Sequence, residues 1–312
     1  MVTPVVVALG EAMVEFNQTT PGQADFRQGF GGDTSNAAIA CARQGIPSAY
    51  LTRLGNDAFG AMLLNLWQAE SVGTHGVQTD AEAHTAVYFV THDASGHAFS
   101  YMRKGSAASR MTPAFLQPDH IRQARFLHVS GISQAISESA CETVDAAIAI
   151  ARESGVAVSY DTNLRLKLWP IERARTIITR TIALSDYLLP SLEDMQSITG
   201  LTSPDAILDW CFEHGASQVM LKLGAEGCIA ADRTQRIRIA GHRVSAVDAT
   251  GAGDCFDGTL LARLAQGDLL EAAARFANAA AALTTTGFGA VAPLPRAVEV
   301  ANFLSRSACS PA

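Results

Sequence analysis

Short apolar runs and segments of helical periodicity alternate along most of the chain. Each apolar run predicts a strand, and the runs are Val5–Leu9, Ala49–Leu54, Phe126–Val129, Ala157–Tyr160, Tyr187–Leu189 and Gln218–Lys222. The periodic segments predict helices that end near a glycine, and they are Ser35–Gln44, Ala58–Glu70 and Ser137–Ser154, followed by Gly45, Gly73 and Gly155. Strands that alternate with helices predict a mostly parallel sheet with helices on both faces.

One region near the N-terminal third breaks this alternation. Thr85–Val90 and His97–Arg103 have strand-like patterns, and Asp93-Ala94-Ser95-Gly96 between them predicts a hairpin turn. Glu11–Asn17 and Gln23–Phe30 supply two further candidate strands. We therefore expect a small antiparallel sheet, built from about 11–30 and 85–104, that is inserted into the α/β body as a lid over the substrate.

The composition and net charge of the chain limit the kinds of molecule that it is expected to bind. The chain has 312 residues, of which 48% are hydrophobic, and a net charge of −7 without a basic run, which argues against nucleic acid. The first residues lack a basic leader and no uncharged apolar stretch reaches about 18 residues, so we expect a cytoplasmic protein without a membrane span. The six cysteines show no C-x-x-C spacing, which favours reduced, buried thiols.

The most informative chemistry lies just before an apolar helical pattern that begins at Phe256. The turn Gly251, Ala252 and Gly253 places free backbone N–H groups and a helix N-terminus at one spot, which is an anion site. Asp254 would repel a bound phosphate, but beside a neutral hydroxyl it serves as a general base while the N–H groups stabilise developing charge. The alternative is an ordinary helix start with Asp254 as a dipole partner.

Asp248-Ala249-Thr250-Gly251-Ala252-Gly253-Asp254 resembles the C-terminal signature of the ribokinase-like (PfkB-type) carbohydrate kinases. Phe30-Gly31-Gly32-Asp33-Thr34-Ser35-Asn36 is similar to their N-terminal signature, and Arg53–Gly60 is similar to a third element. The resemblance runs in the expected order from Gly10 to about Pro293. It implies a single kinase domain over 1–312, a three-layer α/β/α sandwich with a β-sheet lid, ATP and Mg²⁺ as cofactors, and a homodimer or higher oligomer formed through the lid.

Two arginine-bearing segments indicate the kind of sugar. Tyr101–Ser109 leaves the lid, and Asp161–Trp169 follows a core strand at the sheet edge where α/β folds bind ligands. Arg103 and Arg165 from these segments are suited to clamp a carboxylate in bidentate fashion, which a sugar acid needs and a neutral hexose does not. Each arginine is alternatively a surface or salt-bridged residue, and Arg165 alternatively contacts a nucleotide phosphate.

Both segments are similar to those of 2-keto-3-deoxygluconate kinases. The resemblance implies that Arg103 and Arg165 hold the substrate carboxylate, and that the sugar acid also contacts Gly31, Gly32, Asn36, Tyr88, Tyr101 and Asp254. We therefore expect phosphorylation of 2-keto-3-deoxygluconate to its 6-phosphate. The alternative is a fructokinase-like or ribokinase-like enzyme on a neutral sugar, for which changing either arginine would leave KM nearly unchanged.

The nucleotide and metal sites are assigned by the same resemblance. The residues implied at the nucleotide are Asn163, Ser191, Lys222, Gly224, Gly227, Gly251, Gly253 and Asn278, with Lys222 and Asn278 alternatively solvent-exposed. Ser191 and Asp194 stand where many relatives have Asn-x-x-Glu near magnesium-bound water, so Asp194 is a candidate for water-mediated Mg²⁺ binding. Asp248 and Thr250 resemble positions that bind a monovalent cation such as K⁺.

Other classes of protein fit less well. The sequence contains no G-x-x-x-x-G-K-[ST], G-x-S-x-G or H-E-x-x-H, and its first strand leads to a single glycine, which disfavours P-loop kinases, hydrolases, zinc enzymes and dinucleotide oxidoreductases. A sugar-sensing relative without catalysis is disfavoured by the intact Asp254. His128 is expected to be structural or near the pocket, and Cys255 to be a packing residue or a reactive thiol.

Overall fold

The computed structural model describes residues 3–93 and 96–308. Over those ranges the strands are β1 (Val6–Leu9), β2 (Met13–Gln18), β3 (Phe26–Gly31), β4 (Ser48–Gly55), β5 (Gly73–Asp80), β6 (Val87–Asp93), β7 (Gly96–Met102), β8 (Phe126–Ser130), β9 (Ala157–Asp161), β10 (Tyr187–Leu188), β11 (Gln218–Lys222), β12 (Gly227–Ala231) and β13 (Arg236–Ala240). The helices are α1 (Asp33–Arg43), α2 (Ala58–Ala69), α3 (Pro118–Arg122), α4 (Gly131–Ala135), α5 (Glu138–Glu153), α6 (Ile171–Ile182), α7 (Leu192–Thr199), α8 (Pro204–Glu213), α9 (Ala252–Gln266), α10 (Leu270–Thr284) and α11 (Ala297–Ala308). All six strands predicted for the body are present.

The body is a three-layer sandwich around a nine-stranded sheet. The strand order is β13-β12-β11-β10-β9-β8-β1-β4-β5, with every pair parallel except β11/β12 and β12/β13. Alternate side chains of β1 enter different cores: Val7 and Leu9 pack with α5 to α8, whereas Val6 and Ala8 pack with the layer of α1, α2 and α9 to α11. Burial on both faces explains why these strands are continuous apolar runs.

The lid is a second, four-stranded sheet in the order β3-β2-β6-β7. The pair β6/β7 is the predicted hairpin, and β2/β3 is also antiparallel. The pair of β2 with β6 that joins them is parallel, so the sheet is not antiparallel throughout as expected. The predicted boundaries shift by one to three residues, because Glu11 and Ala12 precede β2 and residues 23–25 precede β3. Ala94 and Ser95 of the predicted turn lie outside the described residues.

Close packing of α1 on α9 sets the geometry of the site. Gly258 has no side chain where the two helices cross, and a Cβ there would lie 2.0 Å from the carbonyl oxygen of Ala37. This glycine therefore lets the two backbones approach each other, and both helix N-termini end at the same edge of the sheet. Within the described residues no helix has the length and apolarity that a membrane span requires.

Candidate active site

Two helix N-termini converge where the parallel strands end. Helix α1 starts after Gly32, which has φ of 118°, and α9 starts after Gly251, which has φ of 78°. Both values are in the region that only glycine adopts without strain, so the two glycine turns of the sequence signatures are required by the backbone. The aligned dipoles of both helices favour negative charge between them.

The turn before α9 provides fewer free donors than the sequence suggested. The N–H of Ala252 donates to the carbonyl of Ala249 at 3.2 Å, so it closes the turn and is not available to a ligand. The N–H groups of Gly251 and Gly253 make no hydrogen bond within the described residues. The free N–H groups of the turn are therefore those of Gly251 and Gly253, and the role predicted for Ala252 would require its bond to Ala249 to open.

Asp254 lies in the first turn of α9 and is partly buried. Its Oδ2 accepts a hydrogen bond of 2.8 Å from Nδ2 of Asn36 on α1, which joins the two sequence signatures in one contact. Burial is the largest cause that raises the pKa of Asp254 to about 7, Asp33 adds to it, and Asn36 and Lys222 act in the opposite direction. A carboxyl group with a pKa near neutrality is suited to accept a proton from a hydroxyl.

Lys222 lies beneath the glycine turn and is not solvated. Its Nζ lies 3.2 Å from Oδ1 of Asp161 and 3.1 Å from Oδ1 of Asp257, and its side chain is mostly buried, with 14% of it exposed. Burial lowers the pKa of Lys222, but Asp161 and Asp257 outweigh that effect and raise the pKa above its ordinary value. The ammonium is thus held by two carboxylates, so the solvent-exposed alternative is wrong, and the role of Lys222 at the nucleotide stays a prediction.

The lid supplies aromatic side chains next to the glycine turn before α1. The hydroxyl of Tyr88 donates a 2.5 Å hydrogen bond to Oε2 of Glu15, and Tyr101 stacks on Tyr88 with ring centroids 5.6 Å apart. Burial and the Glu15 carboxylate raise the pKa of Tyr88 well above its ordinary value. A Cβ on Gly31 would lie 2.5 Å from the Tyr88 hydroxyl, so Gly31 makes room for this ring.

Arg103 is engaged by a buried carboxylate. Its Nη2 lies 2.5 Å from Oε2 of Glu11 in an ion pair that lacks hydrogen-bond geometry, and Ser106 donates a hydrogen bond of 2.5 Å to the other oxygen of Glu11. Nε of Arg103 is buried and has no hydrogen-bond partner within the described residues. The salt-bridged alternative for Arg103 is therefore what the structure shows, and its Nε is left without a partner within the described residues.

Arg165 lies on the loop after β9 and is exposed. Its Nη1 donates to the carbonyl of Leu164 at 2.8 Å, and its charge lowers the pKa values of Asp33 and Asp194 against the larger effect of burial. Asn163, two residues earlier, has φ of 31° and donates through Nδ2 to Oδ2 of Asp33 at 3.0 Å. Arg103 and Arg165 thus lie in the two segments that the sequence indicated, but no contact joins the two side chains within the described residues.

The residues assigned to the nucleotide have structural partners. Gly224 and Gly227 have φ of 59° and 99°, and a Cβ on Gly227 would lie 2.1 Å from the carbonyl oxygen of Ile239. Asn278 is buried and donates to the carbonyl of Ala240 at 2.9 Å, so the exposed alternative is wrong. Ser191 caps α7 by accepting from the N–H of Asp194 at 3.1 Å.

The candidate metal residues are likewise bonded within their loops. Oδ2 of Asp194 accepts from Thr162 Oγ1 and from the N–H of Leu164, each at 3.0 Å. Asp248 accepts from the N–H and hydroxyl of Thr250 and from the N–H of Gly289. No group of three or more metal-ligating side chains occurs in the part of the chain described. A donor set of this kind suits a magnesium ion that is held mainly by nucleotide phosphates and water, and the water-mediated role of Asp194 stays a prediction.

Sequence reasoning missed several carboxylates of the site. Glu11, Glu15, Asp33, Asp161 and Asp257 are all buried there. Four of them lie within three residues of positions that the sequence did single out, namely Gly10, Gly32, Asn163 and Asp254. A charged residue within an apolar strand or at a helix end was the signal that could have found them. Their partners come from distant parts of the chain, so the sequence could not assign them.

The two remaining candidates are structural. His128 is buried on β8 with Nδ1 3.1 Å from Ser159 Oγ, and burial lowers its pKa to about 4. Cys255 is buried in α9 with its Sγ 3.9 Å from Thr259 Oγ1, and burial raises its pKa to about 12. A thiol with that pKa is inert at neutral pH, so the packing role is the correct one.

Comparison with known proteins identifies the family and several relatives of this chain. Residues 4–297 match the model of the pfkB family carbohydrate kinases. Fructokinase-1 of Oryza sativa subsp. japonica is 36% identical over 96% of this chain and 97% of its own length. A crystal structure of fructokinase from Vibrio cholerae O395 with fructose, ADP and calcium has a TM-score of 0.86 at 31% identity, covering 97% of this chain and 99% of that one. A fructokinase from Xylella fastidiosa with bound ATP has a TM-score of 0.88 at 25% identity over 97% and 99%.

Proposed function

Because the chain belongs to the pfkB family of carbohydrate kinases, we propose that it transfers the γ-phosphoryl group of ATP to the terminal hydroxyl of a six-carbon 2-keto sugar, with fructose as the substrate. The observation that carries the proposal is the 2.8 Å bond between Asn36 and Asp254 at the meeting point of two helix N-termini. It holds a carboxylate with a pKa near 7 beside an anion site. A base next to an anion site is what transfer of a phosphoryl group to a hydroxyl requires.

The proposed transfer uses Asp254, the glycine turn before α9 and the lid. The sugar hydroxyl gives its proton to Asp254 as its oxygen bonds to the γ-phosphorus and the bond to the ADP oxygen breaks. The N–H groups of Gly251 and Gly253, with the dipole of α9, stabilise the charge on the transferring group. Magnesium, when bound with the nucleotide, neutralises the phosphates. The lid covers the sugar and excludes water, which would compete as acceptor.

Fructose is favoured over a sugar acid by the relatives and by the charge of the site. The relatives reported above are fructokinases, and the structure from Vibrio cholerae holds fructose. In this chain the guanidinium of Arg103 is already paired with Glu11, so its charge is compensated without a ligand carboxylate. A neutral hydroxymethyl group at the first carbon of the sugar suits such a compensated site.

A second candidate, 2-keto-3-deoxygluconate, is favoured by one specific observation. Nε of Arg103 is buried without a hydrogen-bond partner in the described chain, and Arg165 is exposed on the loop after β9. Fructose and this sugar acid share the keto group and the terminal hydroxyl and differ at the first and third carbons. A carboxylate at the first carbon would satisfy the unpaired donor of Arg103.

A coupled assay of ADP release with ATP and magnesium tests the proposal. Fructose, 2-keto-3-deoxygluconate, gluconate and ribose are compared on the wild type and on Asp254→Asn. We expect turnover of fructose that the substitution reduces by at least about 100-fold, the usual contribution of a general base. Full activity of Asp254→Asn would contradict the mechanism, and faster turnover of the sugar acid would contradict the choice of fructose.

Arginine variants separate the two candidate substrates. With fructose, Arg165→Gln should leave KM within about twofold, whereas with the sugar acid it should raise KM by about tenfold or more because a charge-assisted pair is lost. Arg275→Gln is the matched control, since Arg275 pairs with Glu271 on the exposed face of α10. Association through the lid stays a prediction, which light scattering of the purified protein tests.

A further inference from the structure

Asp33 is a buried carboxylate for which the proposed reaction has no use. It is the first residue of α1, directly after the glycine turn of the N-terminal signature, and it is 8% exposed. Its Oδ2 accepts the hydrogen bond from Asn163, while its Oδ1 has no well-formed hydrogen bond within the described residues. A buried carboxylate is costly unless something compensates it, so a role for Asp33 is to be sought in what it touches.

Asp33 connects the two halves of the site. On one side it holds Asn163, a non-glycine residue with φ of 31° that the surroundings must keep in place. On the other side, Asn36 lies three residues later in the same first turn of α1, and residues at this spacing share one face of a helix. Asn36 holds the base Asp254. One helix turn therefore bonds the loop after β9 and the base of α9 together.

We infer that Asp33 is a positioning residue for Asp254: it fixes the first turn of α1, from which Asn36 holds the base, and it places a second negative charge beside that base. The inference rests on the proposed function, because a kinase of this kind needs a base that gains a proton during the reaction. A nearby carboxylate increases the affinity of the base for that proton.

The charged groups around Asp254 differ in how strongly they change its pKa. Burial is the largest cause of its raised pKa, and Asp33 is the largest charged contributor. Asp161 on β9 acts in the same direction, Lys222 on β11 acts against it, and the charge of Asp254 in turn affects Asp257 on α9 and Tyr88 in the lid. Burial also raises the pKa of Asp33 itself, and Arg165 acts against that effect.

The test is the pH dependence of kcat for Asp33→Asn, with Asp33→Ala alongside. Asparagine keeps the shape and an oxygen that can accept from Asn163, but removes the charge. We expect the acid limb of the profile to move to lower pH by about one unit, with KM for ATP within about twofold of the wild type. A uniform loss of kcat with an unmoved acid limb would show a merely structural role and overturn the inference. Asp33→Ala should lower kcat at every pH as well, because it also loses the bond to Asn163.

A titration without substrate separates this inference from the proposed function. The side-chain carboxyl ¹³C signals of aspartate are followed against pH in the wild type and in Asp33→Asn, and Asp254→Asn assigns the signal of the base. If no sugar is phosphorylated, the proposed function fails while this titration still decides the role of Asp33. A lower midpoint for Asp254 in Asp33→Asn supports the inference, and an unchanged midpoint overturns it.

Discussion

Replacing Gly258 by alanine tests whether the contact between α1 and α9 builds the site. A Cβ at this position would lie 2.0 Å from the carbonyl oxygen of Ala37 and 2.9 Å from Cβ of Ala40. Ordinary contact begins near 3.4 Å, so the helices must separate by more than 1 Å to admit one methyl group. The same displacement would stretch the 2.8 Å bond between Asn36 and Asp254 beyond hydrogen-bond range.

Two opposing effects set the expected magnitude for Gly258→Ala. Overpacking of a close helix contact costs up to about 3 kcal/mol, while the better helix propensity of alanine returns about 1 kcal/mol. We expect a net loss of about 2 kcal/mol in the free energy of unfolding, measured by urea denaturation. We also expect kcat to fall by about tenfold or more, because Asp254 loses the amide that orients it.

Gly253→Ala is the matched control for the stability measurement. Gly253 lies in the first turn of the same helix, but the nearest atom to a Cβ there is Nζ of Lys222 at 3.5 Å, which is ordinary contact. Its stability should equal or exceed that of the wild type. If Gly258→Ala were as stable as this control and kept full kcat, the close approach of the helices would not be what positions the base.

Three further predictions concern the charges and hydrogen bonds of the site. First, kcat/KM should rise with pH through about 7, because Asp254 must lose its proton before it can act as a base; a profile that is flat between pH 5 and 8, measured by ADP release, would contradict this. Second, Lys222→Met should lower the free energy of unfolding by about 3–5 kcal/mol, since it leaves Asp161 and Asp257 buried without their cation; urea denaturation measures it, and the double variant with Asp257→Asn should recover part of the loss. Third, Tyr88→Phe should cost about 1–3 kcal/mol by leaving Oε2 of Glu15 without its donor, and an unchanged thermal midpoint would speak against that bond.

The strands of the body were predictable because both faces of the sheet are buried. β1, β8, β9 and β11 are therefore continuous apolar runs that stand out from the helices between them. β5, β12 and β13 were missed. β5 and β13 carry exposed polar residues, and Gly73 was taken as the end of a helix although it begins β5. β5 and β13 are the edge strands of the sheet and lack the continuous apolar pattern, so periodicity alone does not find them. β12 is buried and apolar, and it was missed although its pattern resembles that of the strands that were found.

The glycine turns were predictable for a different reason. Gly32 and Gly251 adopt positive φ, which only a few residue types tolerate, so their spacing in the sequence carries the geometry directly. The partners of charged residues do not have this property. Glu11 pairs with Arg103, and Lys222 with Asp257, across long stretches of chain. Whether a lysine is solvated or buried depends on such tertiary neighbours, which is why the sequence left the solvent-exposed alternative for Lys222 open.

The parallel pair that joins the two hairpins of the lid has a consequence for how the chain folds. Val14 lies opposite Val87, so some 70 residues, including β4, α2 and β5, must be placed before this pair can close. Each hairpin is local and forms quickly, whereas their union depends on a completed edge of the main sheet. The lid is therefore assembled late in folding. A chain growing on the ribosome presents the β2/β3 hairpin with an unpaired edge until β6 has emerged, and this edge is where misassembly between nascent chains would begin.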